Sequence, residues 1–250
     1  NLEKNPNSII SITRRLDELD PENRTIRIVS PYLFIPKYER DDGAVYHDGA
    51  DNLQTWLGKH PENRIEIVTN SVLTSDNFFA QAIIDMDTAP SMLLDAETSR
   101  QWLKKLEKSE LNPELVNSPH WQRLVNNPRV RIYQTGRLDA DTLGGDVAYG
   151  KLHAKFFLTD KWGFVGTTNL DYRSRLFNNE MGFFFAGEDL RNALVEEFES
   201  LKAQSYLWGT PEWLQMRAAV RELGGVKART TGNQRDLFTD LRRTGLHWLF

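Results

Sequence analysis

The stretch YGKLHAKFFLTDKWGFVGTTNLDYRSRLFNNEMGFFF, residues 149–185, holds polar residues whose types and spacing point to chemistry. Its apolar runs predict three strands: AKFFLTD (154–160), GFVGTT (163–168) and NEMGFFFAG (179–187). A tight turn at Asp160–Gly163 would join the first two. Side chains two residues apart on a strand point to the same face, so His153 and Lys155 are expected to project together.

The pair of His153 and Lys155 suits a reaction at an oxyanion centre. Neutral imidazole near pH 7 is a competent nucleophile, and a neighbouring ammonium can hold the charge of an oxyanion such as phosphate. Alone, such a pair is more often solvated surface than reacting machinery. The residues that follow it in the chain therefore carry the argument.

Further polar residues lie where the second and third predicted strands meet this pair. Gly166 permits close backbone approach, and the hydroxyl of Thr167 and the amide of Asn169 can hydrogen-bond an oxyanion. Glu180 lies on a predicted strand filled otherwise by Met and Phe, where a carboxylate needs a partner. A His ring nitrogen is a natural candidate, because that bond would fix the tautomer of the ring.

The joint pattern HAKFFLTD, GTTN and NNEMGF resembles the signature of the phospholipase D superfamily, which is His-x-Lys-x4-Asp, then Gly-Ser/Thr-x-Asn, then Glu. The segments RIVSPYLFIP, IEIVTNS and LHAKFFLTDKWGFVGTTNLDYRS resemble more closely the second half of bacterial cardiolipin synthase-type members. The likeness runs in order through most of residues 24–187 and is weakest over 76–128. Thr167 stands where Ser is commoner in the family, a change that keeps the hydroxyl.

The resemblance implies a two-step reaction at a phosphodiester. One of two active-site histidines attacks phosphorus to form a phosphohistidine, and the other protonates the leaving oxygen and later activates the acceptor. His153 would be one of them, and no metal or other cofactor is implied. The expected roles of the remaining site residues are binding of the nonbridging oxygens by Lys155, Asn169 and Thr167, orientation of His153 by Glu180, and support from Asp160, Gly166, Arg173 and Ser174.

This sequence contains a single His-x-Lys-x4-Asp motif where the chemistry needs two histidines. The other histidines lack a lysine two residues later and are interpreted as surface or loop residues; they are His47, His60, His120 and His247. Small family members complete the site across a homodimer, and larger ones carry both motifs in one chain. Because the match is to a second half and residue 1 is Asn, we favour a missing N-terminal half that carries the first motif, with a homodimer partner as the alternative.

The remaining pattern predicts an α/β fold of the phospholipase D type, a mixed sheet flanked by helices with a helical insertion at about 73–128. Strands at 24–36 and 63–72 flank a helix at 51–60 and favour a parallel βαβ unit, and 37–50 is interpreted as loop. Further elements are a strand at 129–136 and helices at 98–111, 118–125 and 188–204. We expect a catalytic second-half domain at 1–205 and a helical tail packed on it at 206–250.

The leading functional hypothesis is phosphatidyl transfer or phospholipase D chemistry on a phospholipid at a membrane surface. The net charge of −4 offers no overall attraction for nucleic acid, and no run reaches the roughly 18 apolar residues of a spanning helix. We therefore expect a peripheral, membrane-associated protein, for which Trp162, Trp208 and Trp213 would suit a lipid interface, although core packing is the ordinary role of tryptophan. The alternatives are a metal-independent nuclease, for which Arg173 and Arg175 are suggestive, and a non-catalytic half that binds membranes.

Overall fold

A computed structural model of the chain describes residues 8–39, 45–104, 112–138 and 150–246. Its strands are β1 (Thr25–Val29), β2 (Lys37–Glu39), β3 (Val45–Asp48), β4 (Arg64–Thr69), β5 (Val130–Thr135), β6 (Phe156–Leu158), β7 (Gly163–Gly166), β8 (Gly182–Phe185) and β9 (Ser205–Leu207). Seven of them form one sheet in the order β8-β7-β6-β1-β4-β5-β9, and β2 pairs with β3 in a separate hairpin.

The sheet is mixed in direction. β1, β4 and β5 are parallel neighbours, whereas β6, β7 and β8 continue the sheet from β1 by successive antiparallel pairings, and β9 is antiparallel to β5. The parallel pairing of β1 with β4 confirms the predicted βαβ unit. A mixed sheet flanked by helices confirms the predicted fold class.

The helices of the described residues are α1 (Ile9–Leu19), α2 (Gly49–Lys59), α3 (Phe78–Ile83), α4 (Ala89–Leu93), α5 (Ala96–Leu103), α6 (Pro113–Val116), α7 (Pro119–Val125), α8 (Tyr172–Leu176), α9 (Glu188–Ala203), α10 (Pro211–Glu222), α11 (Gly225–Gly232) and α12 (Gln234–Thr244). A π-helical segment, Ile84–Thr88, joins α3 to α4. Most begin where a short polar side chain accepts a hydrogen bond from a free N–H of the first turn. Examples are Ser8, Asp48, Asn77, Asp95, Ser118, Asp171 and Thr210.

Both faces of the sheet are covered. Alternation along β4 sends Ile65 and Ile67 into one hydrophobic cluster and Val68 into the other. The larger cluster is filled by helices of the insertion together with α10 and α12. The smaller one is closed by α9, whose Phe198 and Leu201 are buried; each such side chain contributes about 1.5–3 kcal/mol by leaving water.

A buried polar network ties the C-terminal helices to the insertion. Asp85, in the π-helical segment, is 0% exposed, and its carboxylate lies 2.8 Å from the Arg217 guanidinium of α10. The amides of Gln81 and Gln134 donate further hydrogen bonds to the same carboxylate, at 3.2 and 2.7 Å. A buried charge is tolerated only when it is paired and hydrogen-bonded in this way.

Several predicted boundaries were wrong. β6 begins at Phe156 and β8 at Gly182, so His153, Lys155 and Glu180 lie before these strands rather than on them. The segment interpreted as loop at 37–50 contains the β2–β3 hairpin and the first turn of α2, and the short strand β9 was not predicted. The predicted helix at 98–111 is observed as α5, and 105–111 lie outside the described residues.

The suggestion that tryptophans form a lipid interface was also wrong for the three named residues. Trp162, Trp208 and Trp213 are all buried, at 5% exposure or less. Trp208 and Trp213 pack with Trp102 and Trp121 in one cluster, with ring centroids 5.2–6.2 Å apart. Their role is core packing, because an indole buries more apolar area than any aliphatic side chain.

Candidate active site

Strand direction brings the predicted site residues to one edge of the sheet. β6 is antiparallel to β1 with Phe156 opposite Val29, so the residues before β6 lie beyond the carboxyl end of β1. The chain reverses again at β7 and at β8, so residues after Gly166 and before Gly182 reach the same edge. The four candidates at this carboxyl edge are His153, Lys155, Asn169 and Glu180.

His153 presents an exposed imidazole just before β6. The preceding residue, Leu152, is buried in the smaller core cluster, and the backbone carbonyl of Lys155 accepts a hydrogen bond from Gly166 N at 3.2 Å. The Lys155 ammonium folds back to donate to the His153 carbonyl at 2.6 Å. The imidazole is therefore accessible while the backbone on both sides of it is held.

The Lys155 ammonium lies in a partly desolvated position. Burial lowers its pKa below the ordinary value, and the carboxylates of Glu180, Asp171 and Asp76 act in the opposite direction. An ammonium that is partly removed from water attracts an anion strongly, because the anion replaces part of the hydration that the ammonium has lost. The position suits a group that binds phosphate oxygens.

Thr167 and Glu180 form a hydrogen-bonded pair at the same edge. The Thr167 hydroxyl donates to Glu180 Oε2 at 2.5 Å and accepts from Met181 N at 3.0 Å. Within the described residues no hydrogen bond joins Glu180 to His153, so the orientation of His153 by Glu180 stays a prediction. Thr167 would have to exchange its bond to Glu180 before donating to a substrate oxygen.

Gly166 is needed for the close approach of two chains. A Cβ at this position would lie 2.6 Å from the Met181 carbonyl oxygen, closer than a side chain tolerates. The close packing of β7 against Met181 thus explains glycine at this position, and a supporting role of Gly166 in the reaction stays a prediction.

Asn169 is held through its backbone while its side chain faces the site. Its N–H donates to the buried Ser174 hydroxyl at 3.1 Å, and Ser174 N in turn donates to Asp171, the N-cap of α8, at 2.7 Å. Asn169 Oδ1 is buried and has no hydrogen-bond partner within the ranges that the structure describes. Arg173 is exposed on α8, and its supporting role stays a prediction.

Asp160 lies at the opposite edge of the sheet. Its carboxylate accepts hydrogen bonds from the backbone N–H groups of Arg24 and Thr25 at 2.6 and 3.1 Å, where β1 begins. It therefore ties the β6–β7 turn to β1, and its supporting role for the site stays a prediction.

The other histidines lie away from this edge or outside the described side chains. His60 ends α2 before β4, and His120 on α7 bonds to Asp95 at 2.7 Å. The side chain of His47 and the whole of His247 fall outside the description. Within the described residues, His, Asp and Glu side chains do not gather in a group of three or more that could hold a metal ion.

A cavity of about 540 Å³ opens beside the site, between α1 and the β1–β6–β7 face. Lys155, Asn169 and Glu180 line one part of it. Much of the remaining wall is apolar, including Ile9, Ile10, Ile28, Phe34, Phe156 and Phe164. A volume of this size is typical of small-molecule sites, and its mixture of charged side chains with apolar walls suits an amphiphile.

A protein-family model described as "Cardiolipin synthase, PLD-like domain" matches residues 59–202. The chain belongs to this family. It is therefore a member of the phospholipase D superfamily, as the sequence motifs indicated. No curated protein matches the chain.

Solved structures of low identity resemble this PLD-like chain. They include phosphatidylserine synthase from Haemophilus influenzae Rd KW20 (13% identity, TM-score 0.49), NucT from Helicobacter pylori (12%, 0.43) and a phospholipase D family member, Nuc, from Salmonella typhimurium (10%, 0.39). The synthase alignment covers 95% of this chain, which spans 44% of the synthase. Each of the other two covers 79% of this chain and 90% of its relative.

Two residues of the PLD-like edge were missed by sequence reasoning. Ser30 follows β1 and Asn70 follows β4, and both are 1% exposed and hydrogen-bonded to segments that carry site residues. The available signal was a short polar residue directly after each of two parallel strands, which places it at the carboxyl edge.

Among the described residues, no helix is both long and apolar enough to cross a membrane.

Proposed function

We propose that this chain supplies one half of an active site that transfers a phosphatidyl group through a phosphohistidine, as a cardiolipin synthase-like enzyme. The observation that carries the proposal is that the exposed His153 lies at the same sheet edge as Lys155, Asn169 and Glu180, three residues that line one cavity. Packing alone does not require these four residue types together. Membership of the PLD-like family supports phosphodiester chemistry at this place.

In the first step, an imidazole nitrogen of His153 attacks phosphorus, and the P–O bond to the leaving alcohol breaks as the P–N bond forms. A second imidazole protonates the leaving oxygen. In the second step it takes the proton from an acceptor hydroxyl, whose oxygen attacks phosphorus as the P–N bond breaks. Lys155 and Asn169 would stabilise the charge that develops on the nonbridging oxygens.

The second imidazole is proposed to come from another motif-bearing half, either a further segment of the same protein or a second copy. Three exposed apolar side chains flank Glu180 and would be shielded by such a half: Phe177 (61% exposed), Met181 (67%) and Phe183 (74%). Exposed apolar patches of this kind commonly mark interaction surfaces.

The apolar wall of the cavity favours a phospholipid over a nucleic acid as substrate. Nucleic-acid sites depend on clustered cations along a groove, whereas the three cations that line this cavity, Arg14, Lys155 and Arg175, share it with the carboxylates of Asp171 and Glu180 and with isoleucine side chains. Peripheral association with a membrane would follow from a lipid substrate.

The test replaces His153 with Ala in the complete protein and measures transfer from phosphatidylglycerol in mixed vesicles. We expect a loss of roughly 10³-fold or more and no acid-labile phosphoenzyme, because the nucleophile is gone. His120→Ala is the matched control, since His120 is exposed on α7 and should leave the rate unchanged. Retained transfer in His153→Ala would refute the proposal, and His153-dependent DNA cleavage in EDTA without lipid transfer would favour the nuclease.

A further inference from the structure

One buried amide, that of Asn70, binds both backbone groups of the residue before His153. Asn70 Nδ2 donates to the Leu152 carbonyl at 3.1 Å, and Leu152 N donates to Asn70 Oδ1 at 3.1 Å. Asn70 Nδ2 also donates to the Pro31 carbonyl at 3.1 Å, beyond the end of β1. Leu152 precedes β6 and is not paired with a neighbouring strand. The Asn70 amide therefore makes the two backbone hydrogen bonds that a paired strand would otherwise make.

These bonds fix the backbone of the segment that carries the nucleophile. His153 lies between Leu152, held by Asn70, and Lys155, whose carbonyl is held by Gly166. Leu152 is 8% exposed, so its peptide groups cannot rely on water if the amide is removed. A side-chain amide offers both the donor and the acceptor that this forked geometry needs.

Ser30 plays a similar part near Asn169, where its hydroxyl holds the backbone of the following residue. Its hydroxyl accepts from Leu170 N at 3.2 Å and donates to the Tyr32 carbonyl at 2.6 Å. Leu170 follows Asn169 directly. Polar residues after two parallel strands are thus each bonded to the neighbour of a site residue.

We propose that Asn70 is a positioning residue, which acts on the reaction by fixing Leu152 and hence the approach of the His153 imidazole to phosphorus. This inference rests on the proposed phosphatidyl transfer. Reacting groups that are displaced by about 1 Å can lose on the order of 100-fold in rate, even when the substrate still binds.

The experiment compares Asn70→Ala with Asn63→Ala in the complete protein. Asn63 is equally buried, at 1% exposure, and its amide also donates to a backbone carbonyl, that of Trp56, at 2.7 Å. It precedes β4 at the opposite edge of the sheet, so its loss tests stability without touching the site. We expect Asn70→Ala to lower kcat about 10- to 100-fold with KM changed less than about threefold, and Asn63→Ala to change kcat less than about twofold.

Amide hydrogen exchange gives a second readout that does not depend on turnover. We expect the Leu152 N–H to exchange slowly in the unaltered protein, and to exchange faster in Asn70→Ala while the β1 and β4 amides stay protected. If Asn70→Ala does not fold, Asn70→Ser keeps a hydroxyl at the site and is subjected to both measurements. Selective loss of kcat and of Leu152 protection supports the proposal.

Three results would overturn it: unchanged kcat in the Asn70 variant, equal loss of kcat in the Asn63 variant, or unchanged exchange at Leu152. A complete protein that shows no phosphatidyl transfer before any substitution refutes the proposed function instead. In that case, exchange at Leu152 still reports whether Asn70 holds this segment.

Discussion

The pKa of Lys155 shows how burial and neighbouring charges act in opposite directions on one residue of this edge. Its ammonium is partly desolvated, which lowers its pKa, and three carboxylates keep that shift limited. Among the three carboxylates, Glu180 has the largest effect on the pKa of Lys155. Its carboxylate also accepts a hydrogen bond from the Thr167 hydroxyl. Glu180 therefore influences the site through charge as well as through hydrogen bonding.

Replacing Glu180 with Gln should lower the pKa of Lys155 further. Gln keeps an acceptor for Thr167 but removes the negative charge that favours the ammonium. The alkaline limb of kcat/KM should move to lower pH, because the charged form of Lys155 is lost earlier as pH rises. The 13Cε shift of Lys155, followed by NMR through an alkaline titration, measures this directly.

Asp171→Asn provides the graded comparison for this prediction. Asp171 contributes less than Glu180 to the Lys155 pKa, so the same downward shift should be smaller. An unchanged or raised Lys155 pKa in Glu180→Gln would show that the Glu180 charge does not act on the ammonium.

At the residue scale, the sequence nominates candidate site residues, but it does not give their structural setting. The motif nominates His153, Lys155, Asn169 and Glu180, whose types of side chain suit the proposed chemistry. Asn70 could not be found in the same way, since its partner Leu152 is 82 residues away and only the assembled sheet brings them together. The short bond of Glu180 to Thr167 likewise depends on how β7 and β8 pair.

Among the elements, α5 illustrates how one side chain both starts a helix and joins it to another. Asp95 Oδ1 accepts from Thr98 N at 2.8 Å as the N-cap, and Oδ2 bonds to His120 of α7 at 2.7 Å. The backbone N–H of Thr98, and next the His120 ring, lower the pKa of Asp95 to about 2. The insertion thus contains a pH-dependent link between two of its helices.

Asp95→Ala should destabilise the protein at neutral pH more than at acidic pH. A carboxyl whose folded pKa lies below its unfolded value contributes stability above the unfolded pKa and loses it as pH falls toward about 2. The urea midpoint of Asp95→Ala should be lower than that of the unaltered chain at pH 7, with the difference shrinking between pH 4 and pH 2 as the carboxyl is protonated.

Asp95→Asn separates the two contributions. Asn still caps the helix but does not titrate, so its midpoint at pH 7 should lie between the other two. A midpoint difference for Asp95→Ala that stays constant from pH 7 to pH 2 would contradict a role for the charge.

Long periodic elements were predictable, and short ones were not. The periodicity of α9 predicted a helix at 188–204, and the observed helix ends one residue earlier. β9 has three residues, too few for a period, and becomes a strand only because β5 offers a free edge. In the described part of the chain, β2 and β3 pair only with each other. Their polar, Gly- and Asp-containing sequence predicted a loop instead.

For the whole molecule, the contact between Asp85 and Arg217 joins parts of the chain 132 residues apart. Arg217 Nη2 also donates to Gln234 Oε1 at 2.7 Å, which brings α12 into the same network. No sequence pattern predicts such a pair, because the desolvation cost of the two charges and the strength of their attraction both depend on how deeply they are buried. The C-terminal helices are therefore anchored by charge as well as by apolar packing.

Arg217→Met should lower the free energy of unfolding by about 3–5 kcal/mol, because it leaves the Asp85 carboxylate buried without its counter-ion. Arg243→Met is the control, since its pair with Asp240 is exposed and worth at most about 1 kcal/mol. Urea titrations followed by circular dichroism measure both. Equal effects of the two substitutions would mean that the buried pair contributes no more than an exposed one.

The tryptophan cluster has an optical consequence. Trp102 and Trp121 belong to the insertion, whereas Trp208 and Trp213 belong to the chain after α9. The ring contacts between the two pairs form only when these parts are assembled. Indoles at such separations couple their electronic transitions, which splits the aromatic band in circular dichroism. The chain therefore carries an intrinsic spectroscopic reporter that shows, without any label, whether α10 is docked on the insertion.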